Sequence, residues 1–143
     1  MVDADVLAAK LAELADRVDR IRTHRPADAQ ALADDWDVLD LVSFNLMLAV
    51  QACTDIASHL IADEGWPPAK DLADAFHRLH EHGVIAEETS QALALATGLR
   101  NIVAHVYAQA DPGLVFRAAS SGLEDLERFS REIAAWVQEQ ARR

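Results

Sequence analysis

Positive charge is what this chain has little of: 13 Lys and Arg stand against 24 Asp and Glu, a formal net charge of −11 over 143 residues. Non-specific affinity for nucleic acid comes from Lys and Arg displacing counterions along the phosphates, so a general nucleic-acid-coating role is excluded. Any phosphate chemistry must be confined to a local cleft. One cysteine, Cys53, cannot close an intrachain disulfide, and its place on an apolar helical stripe marks it as a core thiol. Trp36, Trp66 and Trp136 are too dispersed to form a base-stacking platform. No apolar run approaches the roughly 18 residues needed to span a bilayer. The start, Met1-Val2-Asp3-Ala4-Asp5, lacks the basic and apolar regions of a secretory leader. The expectation is a soluble, cytoplasmic protein without a membrane partner.

Scarce glycine (5) and proline (4), with 51% hydrophobic residues dominated by Ala and Leu, is the composition of a helical bundle and not of a sheet protein. There is no composition break, repeat or low-complexity linker, so residues 1–143 are expected to form a single domain. The acid is concentrated early, at Asp28, Asp34, Asp35, Asp37 and Asp40.

Apolar spacing predicts a first helix over about 3–24, carrying Val6, Leu7, Leu11, Leu14, Val18 and Ile21 and ended by Pro26. A short helical turn or loop over 27–35 leads, through an Asp34 or Asp35 cap, into a long helix from Trp36. There Leu39, Val42, Leu46, Ala49, Cys53, Ile56 and Leu60 alternate by three and four. Asn45 on this helix reads as a satisfied polar contact. Gly65-Trp66-Pro67-Pro68 ends it. A third helix is expected over about 70–82, the next from about Glu87 to Tyr107, and the last, after Asp111-Pro112-Gly113, from roughly Leu114 to Arg142. The fold class is all-α: an up-and-down four-helix bundle with one additional short helix.

The chain is organised around Arg100-Asn101-Ile102-Val103-Ala104-His105-Val106-Tyr107. At roughly 100° per residue, Leu95, Leu99, Ile102, Val103 and Val106 share one face, taken as the core side. Arg100, Asn101 and His105 fall on the other. Ala94, Thr97, Ala104 and Ala108 lie among them, and this small-residue face between Gln91 and Ala110 carries one charged residue, Arg100. Such a face is expected to line a cleft against a second copy of the chain about a two-fold axis.

An arginine and a histidine so placed suit phosphodiester chemistry. A guanidinium grips a phosphate and stabilises developing charge, and an imidazole moves protons near neutral pH. In RNA the neighbouring 2′-hydroxyl supplies the nucleophile, so no metal and no cofactor is required. Spacing alone leaves an interhelix hydrogen bond or a solvated face open as the blander explanation. His77, His80 and His82 cluster with Glu81, and His77 with His80 has spacing that could bind a transition metal, but no fourth ligand is identifiable, and a solvated helix face or cleft wall accounts for them. Ser120 and Ser121 lack the context of a nucleophile elbow.

Arg100, four residues, His105, one residue, Tyr107 resembles the signature of HEPN-superfamily ribonucleases of the HepT type, and Gly98-Leu99-Arg100-Asn101 is similar to that family's approach to it. The resemblance extends through Asn45-Leu46, Ile56-Ala57-Ser58-His59-Leu60-Ile61, Ala75-Phe76, Leu79 and Gly83-Val84-Ile85, covering about Leu39 to Trp136. It implies a metal-independent endoribonuclease toxin of a type VII-like toxin–antitoxin system, homodimeric, encoded beside a minimal nucleotidyltransferase antitoxin. It further implies that Arg100 and His105 are the catalytic pair, that Asn101 orients the phosphate or the imidazole, and that Tyr107 receives AMP from the antitoxin. A reading from a different class is a catalytically silent helical dimer that binds or regulates a nucleotidyltransferase.

Overall fold

A computed structural model describes the backbone of residues 3–105 and 111–143 and, within these, the side chains of 3–98 and 111–143. Helix α1, Ala4–His24, starts where the Asp3 carboxylate accepts the Asp5 and Val6 N–H groups, and it buries Leu7, Leu14, Val18 and Ile21. The predicted turn over 27–35 contains a short helix, α2 (Ala29–Ala33), capped by Asp28. Asp35 then caps α3, Trp36–Asp63, the longest helix and the centre of the bundle. It packs against α1, α4, α5 and α7, which run over Ala4–His24, Leu72–Glu81, Glu87–His105 and Ser121–Ala141.

By length and mean hydropathy α3 could cross a membrane, but 61% of its most apolar window is buried inside the protein, so the bundle core accounts for that apolarity. The seam residues Val42, Leu46, Ala49, Cys53, Ile56 and Leu60 are all buried. Burial pushes the Cys53 thiol far above its ordinary range, which makes it an inert core group. Asn45 is satisfied as expected: its side-chain oxygen accepts from Arg17 Nη1 at 3.2 Å and its Nδ2 donates to the Leu41 carbonyl at 2.8 Å.

Two helix ends need glycine. Gly65 (φ 69°) and Gly83 (φ 74°) sit in the left-handed region. They let Trp66 N–H reach back to the Ile61 carbonyl at 3.0 Å and Val84 N–H to the Leu79 carbonyl at 2.9 Å, closing α3 and α4.

The last predicted helix is in fact two. Asp111-Pro112-Gly113 starts a helix and does not merely break one: Pro112 occupies the first turn of α6 (Pro112–Ala118), and Asp111 accepts the Gly113 N–H at 2.9 Å. The chain then breaks at Ala119-Ser120 before α7 begins at Ser121. The Ala119 carbonyl accepts from Arg25 Nη1 at 2.7 Å, a tertiary partner at the break that local spacing does not reveal. Phe76 on α4 meets Phe129 on α7 edge to face at 5.7 Å in the centre of the core. The bundle therefore has four long helices and three short ones among the described residues, where one short helix was expected.

Candidate functional site at the end of helix α5

Helix α5 carries the motif, and the chain's own core lies on a different side of it from the one hydrophobicity suggests. Thr89, Ser90, Leu93 and Thr97 are buried at 0, 1, 0 and 7% exposure, while Leu95, expected in the core, is 79% exposed. Thr97, expected to line an outward cleft, is buried, with its hydroxyl donating to the Ala94 carbonyl at 2.7 Å. Ala94 is half-buried. The inward face is polar because each hydroxyl has a partner there. Thr89 donates to Glu132 and accepts from Arg128 Nε at 2.7 Å, and Ser90 Oγ lies 3.0 Å from His77 Nδ1. Apolarity alone does not reveal such a face. The repeat of Thr89, Leu93 and Thr97 every fourth residue was the signal that could have found it.

Arg100, Asn101, Ala104 and His105 lie in the described backbone of α5, with their side chains outside the description; Tyr107 and Ala108 lie outside the described residues altogether. Helical register relates the first four to the observed face. Arg100 and Ala104 continue the column of Leu93 and Thr97, whereas His105 is within about 20° of Ala94 and of the exposed Gly98. By helical register alone, Leu99 and Ile102 lie within about 40° of the exposed Leu95.

How far α4 covers α5 follows from the hairpin the two form. The two helices are joined by residues 82–86, and the contact of His77 with Ser90 fixes their register. Leu72, the first residue of α4, is five before His77, so α4 reaches only to the level of about residue 95 on an antiparallel neighbour. The turns of α5 that carry the motif run on past that end.

Each of the three candidate metal-binding histidines meets another group within the protein. His77 meets Ser90, His80 Nδ1 lies 3.1 Å from the Ile85 carbonyl, and His82 stacks on Trp66 with ring centroids 3.9 Å apart. Among the described residues no group of three His, Cys, Asp or Glu side chains is placed to hold a metal ion.

Comparison with known proteins gives a consistent picture. The family model described as Ribonuclease HepT-like matches residues 13–133. An mRNA nuclease HepT of Shewanella oneidensis is 29% identical over 131 residues, covering 92% of this chain and 98% of the relative. A tRNA nuclease HepT of Aphanizomenon flos-aquae is 29% identical over 92 residues, 64% of this chain and 63% of that one. Among solved structures, a tri-AMPylated Shewanella oneidensis HEPN toxin in complex with MNT antitoxin superposes with a TM-score of 0.85 at 28% identity, over 93% of this chain and 99% of that chain. The cytosolic protein YutE of Bacillus subtilis, of unknown function, shares the fold at a TM-score of 0.85 with 16% identity, over 97% of this chain and 93% of its own.

Proposed function

The chain belongs to the Ribonuclease HepT-like family, and on that premise we propose that it is the toxin of a toxin–antitoxin pair, an endoribonuclease that cuts RNA at a cleft between two copies of itself. The observation that carries this reading is the complete Arg100, Asn101, His105, Tyr107 motif in the sequence, with Arg100, Asn101 and His105 on turns of α5 that run past the end of α4. Its relatives support it: one is called an mRNA nuclease, another a tRNA nuclease, and a HEPN toxin of this fold is found with an MNT antitoxin.

The face for the second copy is the column led by Leu95. A large aliphatic side chain 79% exposed in mid-helix has no reason to stay in water if a twin face can cover it. On α3, which packs against α5, Phe44 is a second large apolar side chain left 52% exposed. His105 falls about 90° round from the Leu95 column, beside a paired face and not beneath it, where two copies would frame one groove.

In that groove His105 takes the proton of the ribose 2′-hydroxyl as its oxygen attacks the adjacent phosphorus. The P–O5′ bond breaks, and the departing 5′-oxygen collects a proton from the second imidazole. Arg100 binds the phosphate and stabilises the charge that grows on its non-bridging oxygens, while Asn101 holds the phosphate or the imidazole in place. Everything the step needs is an acid, a base and a cation, so it runs without a metal, in the cytoplasm. The partner is a minimal nucleotidyltransferase that transfers AMP to Tyr107 and fills the groove with bulk and negative charge. The test is to incubate the purified protein with RNA in chelator and to characterise the ends. Fragments with 5′-hydroxyls and 2′,3′-cyclic phosphates are expected, with Arg100→Ala inactive; 5′-phosphate products, or cleavage only with added magnesium, would overturn the mechanism.

A further inference from the structure

The inward face of α5 has one large apolar side chain, Leu93, among Thr89, Ser90, Leu93 and Thr97. Apolar contact holds a helix near its neighbours but is indifferent to modest rotation about its axis; hydrogen bonds are directional and are not. Three ties of that kind grip the first turn of α5. Glu132 on α7 accepts the Ala86 N–H at 2.7 Å with one oxygen and the Thr89 hydroxyl with the other. Arg128, one turn earlier on α7, donates from Nε to Thr89 Oγ1 at 2.7 Å, and its Nη2 is held by Asp125 at 2.9 Å. Ser90 is tied to His77 on α4. Thr89 is thus donor and acceptor at once in a fully buried position, and Phe129 and Ile133 beside its α7 partners are buried in the core.

We infer that Thr89, with Arg128 and Glu132, is a positioning residue for the Arg100–His105 motif, setting the angle at which α5 presents it. This rests on the ribonuclease reading above. A helix transmits rotation, so a turn of about 20° at Thr89 moves side-chain tips some 6 Å from the axis by about 2 Å along its whole length. Misplacement by about 1 Å costs on the order of a hundredfold in rate where reacting groups must be aligned.

The experiment uses the full-length protein with Thr89→Val, which keeps shape and removes both hydrogen bonds, and Thr89→Ser, which keeps the hydroxyl. Steady-state RNA cleavage, thermal midpoint and solution mass are measured on each. Thr89→Val is expected to lower kcat tenfold or more with KM within twofold of wild type and the oligomeric mass unchanged, and Thr89→Ser to stay within twofold on both constants. Wild-type kcat in Thr89→Val overturns the inference, as does a serine variant that falls with the valine one, or a change confined to KM. Should Thr89→Val fail to fold, Arg128→Lys is measured instead: it keeps the charge but not the planar fork, and a wild-type kcat there is equally fatal. Wild-type protein that does not cleave RNA sinks the ribonuclease reading and this inference together. A cleaving wild type with an unaffected Thr89→Val sinks this inference alone.

Discussion

At the scale of single residues, Arg100 and His105 are proposed to act together, and Tyr107 is proposed as the point of control. A phenol carrying AMP gains a phosphodiester charge and a nucleotide's bulk, and both would oppose a phosphate ligand in the proposed groove. With a purified nucleotidyltransferase partner, ATP and magnesium, the intact mass should rise by adenylyl units, and the Tyr107→Phe protein should show none. Mass gain on the Phe variant would move the modification elsewhere. The core offers a separate check. Phe129 is fully buried and meets Phe76 edge to face, so Phe129→Ala should lose about 3–5 kcal/mol in equilibrium denaturation, the range for an excavated aromatic. A loss below about 1 kcal/mol would mean that the surroundings collapse into the space.

At the scale of elements, Asp111 is the cleanest case. Its carboxylate accepts the Gly113 N–H at the start of α6, and Asp111→Ala should cost about 1 kcal/mol, read from the urea midpoint at unchanged slope. Asp74 behaves differently with pH. The Lys70 backbone N–H donated to it at 2.9 Å is the leading cause that holds its carboxyl below the ordinary value, with Arg78 adding to the effect. A carboxyl depressed on folding stabilises above its unfolded value near 4 and loses that contribution as pH falls through the folded one, so Asp74→Asn should flatten the acid limb of the stability curve.

The helices themselves were legible because Asp caps, Gly65, Gly83 and the Pro67-Pro68 pair are local signals that act within one turn. The break at Ala119-Ser120 was not, since the Arg25 partner of that carbonyl is 94 residues away in sequence. Nor was the inward face of α5. Periodicity reports which side is apolar, and on a helix that meets its own bundle largely through hydroxyls and leaves Leu95 outward, that side is the wrong one. The candidate catalytic residues were legible from their motif alone, and the residues that orient their helix were not, because Thr89, Arg128 and Glu132 become a group only when α5 and α7 meet.

At the scale of the whole molecule, the proposed function asks an acidic chain of net charge −11 to keep its cations where the phosphate is cut, and the proposed pairing of two copies would double them in one groove without changing the rest of the surface. Leu95→Asp places a charge on the face proposed for that pairing while leaving the monomer's own core untouched, since Leu95 takes no part in it. Light scattering should show the mass fall to that of one chain, 15.7 kDa, with RNA cleavage lost alongside. An intact dimer would put the paired face elsewhere. The most direct measurement is cleavage of RNA in chelator by wild-type protein and by His105→Ala, prepared identically and shown to be equally folded. The wild type is expected to cut and the variant to be slower by about two to four orders of magnitude, the contribution of a positioned acid or base; equal rates from the two proteins would rule out catalysis by His105.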